Sequence, residues 1–241
     1  MMTTNRKKWL AMLILLLTMA GGTVSAQTVY EREQYITEVK DQVVTYRVAK
    51  THIPLSGEVK LIENARKYII VTFRDGIMDG PYREYLHGEL VAKATYREGR
   101  KKGLYEEYYG GSKGGIRKRA TYANGEMNGK VTTFFSNGRT ERESNYIKGK
   151  KEGEERVYSP EGREIAIKHY KGDELHGSYE ETADEGNGMS VRIRRTYDRG
   201  KIHGMEITEI IDAQGKLQYR IECRYEQGKM KDRKQIPMTE S

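Results

Sequence analysis

The chain has 241 residues, of which 36% are hydrophobic and 32% are charged, and its formal net charge is +8. So few apolar residues argue against a thick two-layer core, while 18 tyrosines and 26 glycines against only 4 prolines argue against disorder. A single cysteine excludes an intramolecular disulfide framework. Basic and acidic residues are interleaved, which argues against a basic stripe for nucleic acid. These properties together favour a thin, extended all-β fold.

Residues 1–26 have the three-part layout of a secretory signal peptide. Three basic residues precede an apolar run over residues 9–20, and small residues end the segment at Ala26. The apolar run is shorter than the roughly 20 residues that a membrane-spanning helix needs. We expect cleavage after Ala26, secretion through the general secretory route, and a periplasmic or extracellular mature protein with a formal charge of +5. A retained N-terminal anchor is the alternative.

Residues 27–72 are predicted to form a β capping region or a divergent repeat. They contain alternating apolar and polar stretches such as 42–48, and residues 56–60 resemble a hairpin turn followed by a return strand. An array of stacked repeats needs such a cap, because its first edge would otherwise be open.

Residues 73–232 are organised by an aromatic residue that is followed by glycine three and seven positions later, in about six copies. The leading aromatics lie 23 to 28 residues apart, a period typical of stacked supersecondary units. They are Phe73, Tyr96, Tyr122, Tyr146, Tyr170, Tyr197 and Tyr225. The repeat-defining glycines are Gly76, Gly80, Gly99, Gly103, Gly125, Gly129, Gly149, Gly153, Gly177, Gly200 and Gly204. Two copies depart from the pattern: Gly172 comes one position early, with Asp173 in the first glycine's place, and Asp232 replaces the second glycine after Tyr225.

Each repeat is predicted to contain two antiparallel strands. Turn-forming segments such as 136–138 and 159–162 close the hairpins. The return strand alternates apolar and polar residues, as in 217–225, which predicts a half-buried strand with Cys223 facing inward. The segments between the two repeat glycines are predicted to be connecting turns, since glycine adopts positive φ without strain. Residues 233–241 are predicted to be a disordered tail.

Two further sets of aromatic residues recur once per repeat and are the candidate site residues. The set twelve positions after the leading aromatic is Tyr85, Tyr108, Phe134 and Tyr158, and the set nine positions after it is Tyr82, Tyr105 and Tyr179. Their opposite parity predicts that they point to opposite faces of the sheet. One set is expected in the core. The other is either a structural stack or, since exposed tyrosine beside arginine is typical of binding hot spots, a partner-binding surface.

Other residues lack the spacing of a catalytic, cofactor or metal site. The five histidines do not have the spacing of metal ligands. Residues 110–114 match the letters of the G-x-S-x-G motif but fall at a predicted hairpin turn, not at a strand-to-helix turn. The acidic segment 183–188 lacks the distal glutamate of a calcium loop. We therefore expect no enzyme activity, no cofactor and no metal site.

The spacing Tyr-x-x-Gly-x-x-x-Gly-x-x-x-x-Tyr, seen at Tyr146, Gly149, Gly153 and Tyr158, resembles the bacterial variant of the MORN repeat found in the YwqK-like antitoxin family. The resemblance covers about residues 70–232. It implies a single elongated, twisted antiparallel sheet of stacked β-hairpins, and a role in binding protein partners or membrane surfaces.

We expect a non-enzymatic extracytoplasmic repeat protein that binds a protein partner as a scaffold or adaptor in the cell envelope. The alternatives are an antitoxin or immunity protein that neutralises a toxin, and a peripheral membrane-associated protein. Attraction to a membrane surface is expected to be weak, because acidic neighbours offset the roughly 1 kcal/mol that each nearby basic residue contributes. No nucleic-acid partner is expected.

Overall fold

The computed structural model describes residues 27–110, 114–186 and 188–237, which form an all-β protein. The predicted signal peptide lies outside the described residues. Apart from the short 3-10 helix η1 (Arg32–Gln34), the regular elements are strands of one open sheet. In chain order the strands are β1 (Thr28–Tyr30), β2 (Tyr35–Lys40), β3 (Val43–Val48), β4 (Gly57–Ile62), β5 (Lys67–Arg74), β6 (Ile77–Leu86), β7 (Glu89–Arg97), β8 (Arg100–Lys101), β9 (Gly103–Tyr108), β10 (Ile116–Ala123), β11 (Glu126–Phe134), β12 (Thr140–Ile147), β13 (Lys150–Tyr158), β14 (Glu164–Lys171), β15 (Glu174–Asp184), β16 (Ser190–Asp198), β17 (Lys201–Ile202), β18 (Gly204–Ile211), β19 (Leu217–Glu226) and β20 (Lys229–Pro237).

From β4 to β20 the sheet is an antiparallel meander in which successive strands are neighbours. The two-residue strand β8 precedes β9 and pairs with β7, and the two-residue strand β17 precedes β18 and pairs with β16 in the same way. The predicted all-β sheet of stacked hairpins is confirmed. Strand β1 lies parallel to β4, so the sheet is mixed, whereas the sequence predicts an antiparallel one. Strands β2 and β3 form a hairpin that joins the sheet where Thr45 lies opposite Ile77. No helix among these residues is long and apolar enough to cross a membrane.

The main hydrophobic core lies at the N-terminal end of the sheet, where the β2–β3 hairpin packs against β4, β5 and β6. The Tyr46 ring of this hairpin lies 5.0 Å from the Phe73 ring in β5. Residues 27–72 therefore supply much of the core as well as a cap, and the predicted boundary at 72 falls inside β5. Five core side chains are at most 3% exposed: Leu55, Val59, Leu61, Val71 and Phe73.

The first repeat glycine lies in a two-residue hairpin turn. The residue before it also has positive φ, as in Asn124 (51°) and Gly125 (87°). Two such residues make a type I′ turn, whose twist matches that of the strands it joins. The copy after Tyr170 keeps this conformation with the two residues reversed, since Gly172 and Asp173 have φ of 60° and 75°. The departure seen in the sequence therefore leaves the turn unchanged.

Each of these turns also bonds to the repeat before it. The donor is the backbone N–H of the residue three positions after a leading aromatic. The acceptor is the backbone C=O of the residue five positions after the leading aromatic of the previous repeat. Gly125 N–H donates in this way to Lys101 O at 2.9 Å, and Gly149 N–H donates to Met127 O at 2.8 Å. Asp173 takes the glycine's place and donates to Lys151 at 3.0 Å. The turns along this edge are thus joined in a ladder, which we call the turn ladder.

The second repeat glycine lies in a strand, so the prediction that the whole segment between the glycines is a turn is wrong. It lies opposite the leading aromatic of the next repeat, and Gly57 lies opposite Phe73 in the same way. These repeat glycines have φ between 75° and 135° and form β-bulges, which a side chain would strain. The pairs are Gly80 with Tyr96, Gly103 with Tyr122, Gly129 with Tyr146, Gly153 with Tyr170, Gly177 with Tyr197, and Gly204 with Tyr225.

The last hairpin has a different register because Asp232 replaces the second glycine. In other repeats the residue two before the leading aromatic pairs with the residue nine after it, as Ser144 does with Glu155. In the last hairpin Cys223 pairs with Arg233, which is only eight after Tyr225. Asp232 does not have a positive φ, and the bulge in this hairpin has one residue fewer than the bulges at the repeat glycines. The side chains that follow Asp232 therefore point to the face opposite to that of their counterparts in the other repeats.

Cross-strand charge pairs favour this shifted register. It places Asp232 opposite Arg224 and Lys234 opposite Glu222. The usual register would instead place the neutral Gln235 opposite Glu222. Each pair of opposite charges across two strands contributes roughly 0.2–1 kcal/mol, so charge and bulge geometry act in the same direction.

Residues 233–237 belong to β20, so the prediction of a disordered tail over 233–241 is wrong for this part of it. The side chains of residues 229–235 are exposed, and the strand is held by pairing with β19 and not by burial. The polarity of the segment was therefore misleading. Residues 238–241 lie outside the described residues.

Gly76 and Gly88 provide a matched test of how the β2–β3 hairpin is held. Both occupy the second position of a type I′ turn, with φ of 80° and 81°. A Cβ at Gly76 would lie 2.7 Å from both Thr45 Cγ2 and Tyr46 O, whereas no atom lies within 4 Å of one at Gly88. We expect Gly88→Ala to lower the free energy of unfolding by about 1 kcal/mol and Gly76→Ala by about 2–4 kcal/mol. Urea unfolding measures both, and equal losses would contradict the docking of the hairpin.

The single cysteine allows the register of the last hairpin to be tested. Arg233→Cys should form a cross-strand disulfide with Cys223 on mild oxidation, whereas Lys234→Cys should not, because residue 234 points to the other face. Adding Asp232→Gly should reverse this preference. Thiol titration measures disulfide formation, and a preference that Asp232→Gly leaves unchanged would refute the role of Asp232.

Candidate binding surface

The sheet has two unlike faces along the repeats. Face A is the side that carries the leading aromatics, and face B is the opposite side. On face A, the residue five positions after the leading aromatic is often aliphatic, as at Met127, Leu175 and Ile202. On face B, the residue just before the leading aromatic is polar, as at Thr95 and Thr121.

Face A changes from covered to partly exposed along the array. Its first part packs against the β2–β3 hairpin in the main core. From the third repeat onward, every described element is a strand of the same sheet, and the tyrosines of face A keep part of their surface exposed. These tyrosines are Tyr122, Tyr146, Tyr170, Tyr179, Tyr197, Tyr219 and Tyr225.

The candidate residues Tyr82, Tyr105 and Tyr179 lie on face A, each against the leading aromatic of the next repeat. The ring centres are 5.4 Å apart for Tyr82 and Tyr96, 5.8 Å for Tyr105 and Tyr122, and 5.6 Å for Tyr179 and Tyr197. Burial raises the pKa of Tyr96 and of Tyr105 to about 12. One tyrosine pair therefore recurs at the same place in three repeats.

The candidate residues Tyr85, Tyr108, Phe134 and Tyr158 lie on face B, where each has its own surroundings. Tyr85 stacks on Tyr68 with ring centres 4.7 Å apart. The Tyr108 hydroxyl donates to Glu106 at 3.0 Å, and Phe134 lies 6.0 Å from the Arg119 guanidinium. Tyr158 is half-buried, and burial raises the pKa of its hydroxyl.

Basic side chains cover several tyrosines of face A, a contact that the repeat spacing does not predict. The Lys101 ammonium lies 4.6 Å and 5.2 Å from the ring centres of Tyr105 and Tyr122, and burial lowers its pKa. Lys168 and Arg195 stand where most repeats have a small residue, and they lie 5.4 Å and 5.1 Å from the Tyr179 ring. Such cation–π contacts contribute roughly 0.5–1 kcal/mol at exposed sites and more when desolvated.

Glu155 stands nine positions after Tyr146, where Tyr82, Tyr105 and Tyr179 stand in their repeats, and its side chain is only 1% exposed. Burial alone would raise its pKa, but hydrogen bonds from Lys151 and Ser144 and the nearby charges hold the pKa below its usual 4.5. The carboxylate is thus an anionic centre within face A. Its donors are Ser144 Oγ at 2.7 Å, Arg142 Nη1 at 2.8 Å, the Tyr170 hydroxyl at 3.3 Å, and Lys151 Nζ.

Charge pairs across neighbouring strands characterise face B. Glu106 is buried between Lys93 Nζ at 2.6 Å and Arg119 Nη2 at 2.9 Å. Glu209 lies 2.8 Å from Arg194 Nη2, and it stands where other repeats have the aromatic twelve positions after the leading one. The interleaved charges of the sequence are therefore largely paired within this face.

The strings considered for chemistry lie at turns or outside the described residues. Residues 111–113, which include the serine of the G-x-S-x-G string, are outside the described residues. In the acidic segment 183–188, residues 183 and 184 end β15, and Glu185 N–H donates a hydrogen bond to Met189 O at 2.9 Å. Residue 187 lies outside the described residues. In the described part of the chain, no group of three or more His, Cys, Asp or Glu side chains is placed to hold a metal ion.

No model of a known protein family matches the chain, and no curated protein sequence matches it significantly.

Glu155 and Glu154 are adjacent and provide a matched test of the buried carboxylate. Glu155→Gln removes the charge that Arg142 and Lys151 face, and we expect it to lower the free energy of unfolding by about 2–4 kcal/mol. Glu154 lies on face B with a partly exposed side chain, so Glu154→Gln should change it by no more than about 0.5 kcal/mol. Urea unfolding at neutral pH measures both, and equal effects would show that the Glu155 contacts do not stabilise the fold.

Glu155 and Glu106 should also make stability depend on acid pH. Their pKa values are lower in the folded chain than in the unfolded chain, so their stabilisation is present above the unfolded value and is lost as the pH falls through the folded one. We expect the free energy of unfolding to decrease below about pH 4.5. Glu155→Gln should make this decrease smaller, and urea unfolding at a series of pH values measures the difference.

Proposed function

We propose that the chain is a non-enzymatic repeat protein of the cell envelope that holds a protein partner on face A. The observation that carries this proposal is the run of partly exposed tyrosines on face A beyond the region that the β2–β3 hairpin covers. The signal-peptide pattern of residues 1–26 and the MORN-like spacing of the repeats support a role outside the cytoplasm and a role in binding.

The chemistry of face A suits a protein surface. Tyrosine and arginine are among the residues that most often dominate the affinity of protein interfaces, because they combine a large apolar area with a polar group. Arg195 and Tyr179 lie together on this face, and Met230, which lies opposite Tyr225, adds an exposed apolar side chain near the C-terminal end of the sheet. The tyrosine rings are already held by neighbouring rings and cations, so binding would cost little side-chain entropy.

Adjacent residues on opposite faces provide the test. A photo-crosslinking amino acid at Met127, on face A, should capture the partner in cells, whereas the same group at Asn128, on face B, should not. The captured protein would then be purified and its affinity measured directly. We expect Met127→Lys with Ile202→Lys to weaken binding about tenfold or more, and the matched pair Asn128→Lys with His203→Lys to leave it unchanged.

Two results would contradict the proposal. One is equal crosslinking from positions 127 and 128. The other is a purified partner whose affinity is insensitive to both face A substitutions while circular dichroism shows that the variants are folded.

A further inference from the structure

The outer edge of β20 is a second surface with its own chemistry, separate from face A. Strand β20 pairs with β19 over Tyr219–Glu226, and no described strand pairs with its other side. It is nine residues long, whereas β1, at the opposite end of the sheet, has three residues. The side chains of residues 229–235 are all exposed. A long edge of this kind presents unpaired N–H and C=O groups to an incoming strand.

The edge is strongly basic. Its sequence KMKDRKQIP contains four basic residues and one acidic residue. The acidic side chains near it belong to β19, where Glu222 and Glu226 lie opposite Lys234 and Lys229, and Lys231 Nζ lies 3.1 Å from Glu226. The acidic groups that balance this strand therefore lie on its paired side, so an incoming strand would meet an excess of positive charge.

A second copy of the chain is a poor occupant of this edge. Two β20 strands side by side would bring basic residues against basic residues, which is destabilising across strands. Addition of another repeat of this kind to the edge is also disfavoured. In the inner hairpins the leading aromatic of the next repeat lies opposite a glycine, and Asp232 occupies the position of that glycine in β20. The edge therefore differs from the surface on which the array builds itself.

We propose that the outer edge of β20 binds an acidic extended segment of a protein partner as an added strand. Backbone hydrogen bonds would supply affinity, as in other cases of strand addition, and acidic side chains opposite Lys231, Arg233 and Lys234 would supply specificity. The proposal does not depend on face A, since the two surfaces use different groups. The simpler alternative is that the lysines only protect the edge from aggregation.

Three fluorescent nine-residue peptides test the proposal on the full chain. The first alternates glutamate with valine and threonine, and the second carries lysine in place of each glutamate. The third is the acidic peptide with N-methyl groups on two adjacent central residues. Adjacent N–H groups of a strand point to opposite edges, so the peptide loses a hydrogen-bond donor to β20 in either orientation. We expect fluorescence anisotropy to show that the acidic peptide binds about tenfold or more tightly than the other two.

Charge reversal at the edge completes the test. Lys231→Glu with Arg233→Glu should abolish the preference for the acidic peptide and increase binding of the lysine peptide. The matched control is Lys102→Glu with Lys150→Glu, which changes the net charge equally at exposed positions in earlier repeats and should leave the preference intact. Face A substitutions such as Met127→Lys should not affect peptide binding, so failure of this proposal is distinct from failure of the proposed function.

Three outcomes would overturn the proposal. Equal binding of the acidic peptide and its N-methylated form would mean charge attraction without strand addition. Failure of every peptide to bind at millimolar concentration would mean that the edge is only protected. A dimer in analytical ultracentrifugation that Lys231→Glu with Arg233→Glu dissociates would mean that a second copy occupies the edge.

Discussion

The architecture depends on one cross-strand contact, in which a bulged glycine lies opposite an aromatic residue of the next repeat. The glycine is needed because the bulge has positive φ, which a side chain would strain. The aromatic is needed because a glycine has no side chain to pack, so the aromatic ring alone fills this cross-strand pair. Where the glycine is present, as at Gly153 opposite Tyr170, the register is the same in every hairpin; where Asp232 replaces it, the register moves by one residue.

Within the described part of the chain, the sheet has a second layer only at its N-terminal end, so the sheet must bury its own side chains elsewhere. Near the β2–β3 hairpin this is done by aliphatic residues, with Val71 fully buried. Farther along, tyrosines and the stems of lysine and arginine cover their neighbours, which is how Ala120 and Glu155 become buried without a covering layer. The shift from Tyr105 to Glu155 at equivalent positions is tolerated because Arg142, Lys151 and Ser144 satisfy the carboxylate. The same surface is therefore apolar at one end and ionic farther along.

The strands and hairpins of the repeats could be predicted because their signals are local. Alternation and the spacing of aromatics and glycines do not depend on distant residues, so Leu217–Glu226 was recognisable as a half-buried strand. The role of the second glycine was not recognisable, since a positive φ is equally typical of a turn and of a bulge. The Glu155 cluster could not be predicted either, because its donors come from β12, β13 and β14 and meet only when the pairing register is known. The polarity of β20 indicated disorder because pairing with β19 leaves no trace in the composition.

The turn ladder has a consequence for how the chain reaches its fold. Each rung joins a turn to the repeat immediately before it, as Gly149 N–H joins Met127 O, so the sequence separation closed by each rung is about one repeat. For an all-β chain this is a short loop, and short loops cost little entropy to close. The N-terminal core can form as soon as residues up to β6 are available, and each later hairpin then has a finished edge on which to form. The fold can therefore grow in the direction of synthesis, one hairpin at a time, without waiting for the rest of the chain.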